Sequence, residues 1–132
     1  GFAWRTSRRD LQEAAVWLDQ GVDELQLAAA LDVYNRSLLF RAVSAGPARR
    51  VFVSRFGMYL IPRAAFSEAQ ADLWVLPAGT SQPALSDSAA VRSFQKASSF
   101  GAYAGALADV RAAGGASAAE FVADVIEYRP EP

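Results

Sequence analysis

The thirteen residues Arg50-Val-Phe-Val-Ser-Arg-Phe-Gly-Met-Tyr-Leu-Ile-Pro62 leave the backbone little choice. Val51, Phe52 and Val53 are strand formers, Phe56-Gly57 supplies a turn, and Met58–Ile61 runs back. Pro62 has no N–H to give a ladder, so it closes the second strand. A lone two-stranded hairpin is marginal in water, so the rest of the chain has to cover it. Phe52, Phe56 and Tyr59 cannot all face inwards, because successive side chains alternate. One face is therefore covered by the C-terminal helices or by another chain.

The hairpin lies within a longer stretch of one charge. Arg36, Arg41, Arg49, Arg50, Arg55 and Arg63 occur over 36–63 without a single Asp or Glu. Residues 1–66 hold nine Arg against six acids, net +3, and residues 67–132 hold four cations against eight acids, net −4. Such asymmetry suggests a binding face. Arg outnumbers Lys twelve to one and Ala is abundant, which looks like a GC-rich coding bias. The placement of the Arg residues therefore says more than their number.

The 132 residues suit one domain, 1–132, with a weak internal boundary at 78–88, where Gly, Thr, Ser, Gln and Pro crowd together. The start at Gly1 reads as a piece of a longer chain, of bacterial type. Phe2-Ala-Trp4 with Arg5, Arg8 and Arg9 has the composition of the flank of an N-terminal membrane anchor outside the sequence; the plainer reading is an exposed arm. No run of about twenty apolar residues spans a membrane. The compartment is unknown, with a cytoplasmic reading favoured over a membrane-tethered one.

Ser7 and Asp10 read as a capping box, and Leu11, Ala14, Ala15 and Leu18 fall on one helical face, so 8–20 is expected to be helix, ended by Gly21. Asp23 caps a second helix over 24–32, with Leu27, Ala28 and Leu31 as its buried stripe. Residues 33–46 fit a helix ended by Gly46-Pro47, and also a strand over Ser37–Val43; the helix is preferred for its stop signal. A short helix is expected over 66–70, a strand over 72–76, an amphipathic helical piece over 89–97 and a helix through Phe100, Tyr103, Leu107 and Val110. Ser117 and Glu120 open a last helix.

Over 24–43 the residues Ala28, Leu31, Val33, Tyr34 and Leu38 resemble the helix-turn-helix of phage Cro-type repressors, with Asp32 where that turn usually has Gly. The resemblance covers about twenty residues. It implies a recognition helix carrying Arg36 and Arg41, and a wing carrying Arg49, Arg50 and Arg55 against phosphates.

Composition removes several chemistries. Without Cys there is no disulfide, thiol nucleophile or thiolate metal site, and without His there is no Ser-His-Asp triad or His-based zinc site. The single Lys96 would have to serve any Schiff base. The pairs Asp19/Asp23 and Asp124/Glu127 stand one helical turn apart, a spacing far commoner for solvated acids than for catalytic ones. Thr80, Ser81, Ser86 and Ser88 have no base. No phosphate-binding or dinucleotide motif occurs. Neither catalytic residues, metal nor cofactor are expected.

The sequence thus reads as an α+β domain: N-terminal helices, a small antiparallel sheet of the 50–62 hairpin with a 72–76 strand, C-terminal helices, and a winged-helix-like N-terminal half as an option. The functional expectation is a non-enzymatic protein–protein interaction or adaptor domain, partnered by another chain or by a second copy. The binding face would be Arg36, Arg41, Arg49, Arg50, Phe52, Arg55, Phe56, Tyr59 and Arg63. The alternative is a winged-helix, helix-turn-helix DNA-binding domain with an acidic effector or dimerisation half.

Overall fold

A computed structural model of the chain describes residues 11–94 and 99–114. In order come β1 (Gln12–Trp17), α1 (Glu24–Arg36), β2 (Phe40–Gly46), β3 (Phe52–Val53), β4 (Tyr59–Leu60) and β5 (Ala64–Ala65). A 3-10 turn (Phe66–Glu68), β6 (Leu73–Leu76), β7 (Val91–Ser93) and α2 (Ser99–Gly114) follow. Five strands make one sheet in the order β5-β2-β1-β6-β7, and every neighbouring pair is parallel. β3 and β4 form a separate antiparallel ribbon, with Phe52 opposite Leu60 and Val53 opposite Tyr59.

The fold is α/β, so the α+β expectation is corrected. Its largest error is the N-terminal helix, because 12–17 is the middle strand of the sheet. A strand covered on both faces needs no alternation: Ala14, Ala15, Val16 and Trp17 are all buried. A continuous apolar run satisfies helical spacing as easily as it fills a parallel strand. The 72–76 strand is real but pairs in parallel with β1 instead of joining the hairpin. Val91–Ser93, expected within a helical piece, is the edge strand β7. The 78–88 loop joins β6 to β7, neighbours in one sheet.

The preferred helix over 33–46 is also corrected. α1 continues unbroken through Asp32 to Arg36, Leu38 makes the turn with φ of 60°, and β2 begins at Phe40. A helix passes through the position where the repressor motif needs its turn, so neither the helix-turn-helix nor the winged-helix half is present. Several local expectations hold. Asp23 caps α1, accepting from the Leu25 and Gln26 amides. The hairpin closes through Gly57, and α2 covers the Phe100–Val110 stretch. The buried stripe of α1 differs from the expected one: Leu27 is in it, Ala28 is exposed, and Ala29, Ala30, Val33 and Tyr34 complete it.

The two sheet faces are covered differently. Ala14, Val16, Ala42 and Val75 pack in one cluster with α1 and α2 through Leu27, Ala30, Val33, Ala106 and Val110. On the opposite face Ala15, Trp17, Ala45, Trp74 and Leu76 pack with Phe66, Ala69 and Leu85. Trp17 meets Phe66 edge-on with ring centres 5.8 Å apart, and Phe66 lies 5.2 Å from Trp74. Among the described residues, no helix is long and apolar enough to cross a membrane.

Candidate functional site

From β1 the chain moves through α1 to β2 on one side, and only later returns to β6 on the other. The strand order therefore reverses between β1 and β6. In open parallel sheets the crevice outside the carboxyl ends of strands at such a reversal is where ligands bind. Here the place is built from loop 18–23, the start of α1, the hairpin and the loop after β6.

The two loops are fastened to each other through backbone. The Asp23 N–H donates to the Ala78 carbonyl at 2.9 Å, and the Ala78 N–H donates to Gln26 Oε1 at 2.8 Å. Gly21 and Gly79 both have positive φ, 85° and 95°, and a Cβ on Gly79 would lie 2.3 Å from the Gly21 oxygen. A side chain at either place would push the loops apart. Asp19 accepts from the Gln20 N–H at 2.6 Å and from the Ser81 hydroxyl at 3.1 Å. The Trp17 indole donates to the Ser81 carbonyl at 2.8 Å. In the same loop the Thr80 hydroxyl oxygen is buried without a hydrogen-bond partner among the described residues.

Glu24, in the first turn of α1, holds the hairpin over this edge. Its Oε2 accepts from the Ser54 hydroxyl and its Oε1 from the Phe56 N–H at 3.2 Å. The Met58 N–H donates to Ser54 Oγ at 2.9 Å. Backbone bonds run alongside: Gly21 N–H to the Val53 carbonyl and Arg55 N–H to the Val22 carbonyl, both 2.8 Å, and Val53 N–H to Gln20 Oε1 at 3.0 Å. The Arg55 guanidinium lies 3.6 Å from Asp23. Three carboxylates, Asp19, Asp23 and Glu24, thus lie along the carboxyl edge, each with its own partners. With no Cys or His in the chain, the polar side chains gathered at this edge are carboxylates, hydroxyls, an amide and a guanidinium. Among the described residues no cluster of three or more acidic side chains is arranged to hold a metal ion.

The nine residues expected to make one binding face are divided by the fold. Arg36 ends α1 and Arg41 sits near the start of β2, both towards the amino edge of the sheet, whereas Arg49, Arg50, Arg55 and Arg63 follow β2 at the carboxyl edge. Acids from outside the stretch answer four of the six Arg, three of them from distant parts of the sequence. Arg36 lies 2.7 Å from Asp32, Arg41 3.7 Å from Glu13, Arg49 2.8 Å from Glu68, and Arg55 faces Asp23. The Arg50 guanidinium lies 4.3 Å over the Phe52 ring and Arg55 5.6 Å over Phe56. The Arg63 N–H donates to Ser44 Oγ at 2.9 Å. Phe52 is in the core, while Phe56 and Tyr59 are 70% and 77% exposed. Asp19 and Asp23 are on a loop and at a cap, not on one helix face. Lys96, Asp124 and Glu127 lie outside the described residues.

Sequence reasoning missed a second polar assembly. The fully buried Tyr34 of α1 donates its hydroxyl to Asp109 of α2, and Arg92 of β7 grips the same carboxylate, with Nε 3.0 Å from Oδ2 and a second bond from its terminal nitrogen. Burial, helped by the Asp109 hydrogen bond, holds the Tyr34 hydroxyl pKa far above its ordinary value, and the hydrogen bond to Asp109 raises that of Arg92. The assembly joins three elements and touches no part of the carboxyl edge. Nothing in the spacing of residues 34, 92 and 109 announces it. At the amino edge an open cavity of about 640 Å³ is lined by Glu13, Arg41, Asp72 and Trp74 among others.

No protein-family model matches the sequence, and a search of curated proteins gives no match. Solved structures do match. A THiJ/PfpI family protein from Pseudomonas syringae aligns with a TM-score of 0.75 and 13% identity, over 92% of this chain and 77% of that chain. DJ-1beta of Drosophila melanogaster gives 0.72 and 13% identity, over 91% of this chain and 100% of the other. An AraC family transcriptional regulator from Pseudomonas putida gives 0.70 and 18% identity, over 87% and 99%. At these identities the likeness establishes the fold, the α/β arrangement with a parallel central sheet found in DJ-1/ThiJ/PfpI proteins. It overturns the adaptor reading, which rested on the Arg and aromatic hairpin as a binding face, and the winged-helix reading, which rested on the order of elements and the resemblance over 24–43. DJ-1-like structures include enzymes and non-enzymes, so the fold leaves open whether this chain is catalytic.

Proposed function

We propose that this chain is a non-catalytic sensory domain of a regulatory protein, which takes a small polar ligand at the carboxyl edge between β1 and β6. The observation that carries the reading is the Glu24 clamp. A single carboxylate at the switch point fastens the hairpin through the Ser54 hydroxyl and the Phe56 amide. A ligand offering its own donors to Glu24 would compete with those two bonds and so change how the hairpin is held. The Thr80 hydroxyl, buried and unpartnered among the described residues, is a further polar position in the adjoining loop. The absence of Cys and His from the whole chain supports recognition over catalysis. The regulatory setting is carried over from the P. putida transcriptional regulator of similar fold. We read residues 1–132 as a single unit acting as a pair of copies, with Arg55, Phe56 and Tyr59 as the members of the sequence-picked face that serve it.

The test is a thermal-shift and calorimetric screen of amino acids, polyamines, nucleosides and sugar acids against wild type and Glu24→Gln. A ligand at a hundred times its Kd stabilises by about 2.7 kcal/mol. The reading expects at least one class to do so in wild type and to lose most of the effect in Glu24→Gln. A ligand whose shift survives that substitution moves the site elsewhere. Turnover of any compound in the screen, abolished by Glu24→Gln, would make the domain an enzyme.

A further inference from the structure

We propose that the amino-edge cavity is a second ligand site, separate from the carboxyl edge, and that it takes the head group of a free α-amino acid. Three strands bring its charges into one row. Glu13 stands opposite Arg41 in the register of β1 and β2. On its other side Asp72, just before β6, donates its N–H to the Glu13 carbonyl at 2.8 Å. Asp72 Oδ2 accepts the Glu13 N–H, also at 2.8 Å, which fixes that carboxylate in place. The row therefore reads cation, anion, anion, at strand spacings of about 4.8 Å. Alternation puts Glu13, Arg41 and Trp74 on the sheet face that carries Trp17 and Ala45.

Part of this row is unused. The Arg41 guanidinium lies 3.7 Å from Glu13 Oε1, beyond ordinary hydrogen-bond reach. Asp72 Oδ1 accepts from none of the described residues. Trp74 adds a donor. It is only 7% exposed, yet its indole N–H bonds to none of the described residues. Thr80 Oγ1 is the one buried side-chain nitrogen or oxygen among them that lacks a partner. The Trp74 nitrogen is therefore not sealed in the core, and the cavity is where Trp74 reaches the surface. A tryptophan this deeply placed ordinarily finds an acceptor, as Trp17 does at Ser81.

These groups define what fits. Arg41 and the Trp74 N–H are donors and call for a carboxylate, which a guanidinium can hold with two parallel bonds. Glu13 and Asp72, when ionised, only accept, and call for an ammonium. The two charges of the ligand must lie close together, because Arg41 and Glu13 are neighbours in the row. An α-amino acid meets all three conditions. A simple anion would face two carboxylates, and a simple cation would face Arg41. The volume of about 640 Å³ falls within the roughly 300–1,000 Å³ of small-molecule sites, so a side chain also has room. Glu13 and Leu18 are five residues apart along the chain, about 16 Å in a strand, so filling one edge leaves the other open.

Calorimetric titration of the whole chain with individual L-α-amino acids tests this. At least one is expected to bind, one per chain, while its N-acetyl and methyl ester derivatives do not. Arg41→Gln, at an exposed position, should weaken binding about tenfold or more. Trp74→Phe, which keeps a ring and removes the N–H, should do the same. Circular dichroism checks that both variants fold, and Arg41→Gln decides alone if Trp74→Phe does not. Glu24→Gln, at the carboxyl edge, should bind as wild type does. Failure of every amino acid to bind at millimolar concentration would overturn the proposal. So would binding that survives Arg41→Gln, or derivatives that bind equally well. Binding lost in Glu24→Gln would also overturn it, by moving the ligand to the carboxyl edge.

Discussion

Asp109 and Glu24 do similar work in different surroundings. Each is a carboxylate that receives bonds from two residues outside its own helix. Asp109 joins α1, β7 and α2 through Tyr34 and Arg92, with Tyr34 fully buried. Glu24 joins α1 to the hairpin at the rim of the sheet, through one hydroxyl and one amide. The Phe56 amide partner of Glu24 is open to water, whereas Tyr34 is fully buried. The same chemistry therefore fixes the packing at one place and leaves an exchangeable joint at the other. That difference is why the carboxyl edge, and not the buried triad, is read as the functional end.

The comparison can be broken by substitution. Asp109→Ala leaves a buried hydroxyl and a partly buried guanidinium without their shared acceptor, and should cost about 3 kcal/mol in urea denaturation. A loss below about 1 kcal/mol would mean that the triad is solvated and resembles the Glu24 joint. A base titration gives the next effect. In the unfolded chain Tyr34 ionises near its ordinary value of about 10, and in the folded protein it is held well above that. Its contribution to stability is complete below about pH 10 and should then fall, by up to about 1.4 kcal/mol per pH unit, until the folded value is reached. Tyr34→Phe should lack this alkaline slope.

Glu24→Ala should cost only about 1 kcal/mol, since the Phe56 amide regains water and Ser54 Oγ keeps its bond from the Met58 N–H. Amide exchange should speed at Phe56 while the interior of α1 stays protected. Equal loss of protection in both would show that the rim joint is part of the core. The smallest effect is expected at the ion pairs of the basic stretch. Arg36→Ala, which removes an exposed pair with Asp32, should change stability by less than about 0.5 kcal/mol by the same urea measurement.

What the sequence could reveal followed from which interactions are local. The Asp23 cap, the Gly57 turn and the small-residue helix α2 are each decided within a few positions, and all were legible. β1 was not, because burial on both faces erases the alternation that marks a strand, and Leu11, Ala14, Ala15 and Leu18 then match a helix by coincidence. The parallel pairing of β6 with β1 joins residues about sixty positions apart and leaves no local trace. The basic stretch misled for the same reason. Its freedom from acids held along the chain, but Glu13, Asp23 and Glu68 close on it in space. The spacing of Asp19 and Asp23 marks them as a pair but puts them on a helix face, and Glu24 carries no signal because a glutamate opening a helix is commonplace.

The Trp17–Ser81 hydrogen bond has an optical consequence. The indole is buried against Phe66 and Trp74 on one side and tied to the β6 loop on the other. A ligand that shifts Ser81 would alter the hydrogen bond at the fluorophore itself. Emission of a Trp4→Phe/Trp74→Phe variant, whose one remaining tryptophan is Trp17, would then report occupancy without any added label.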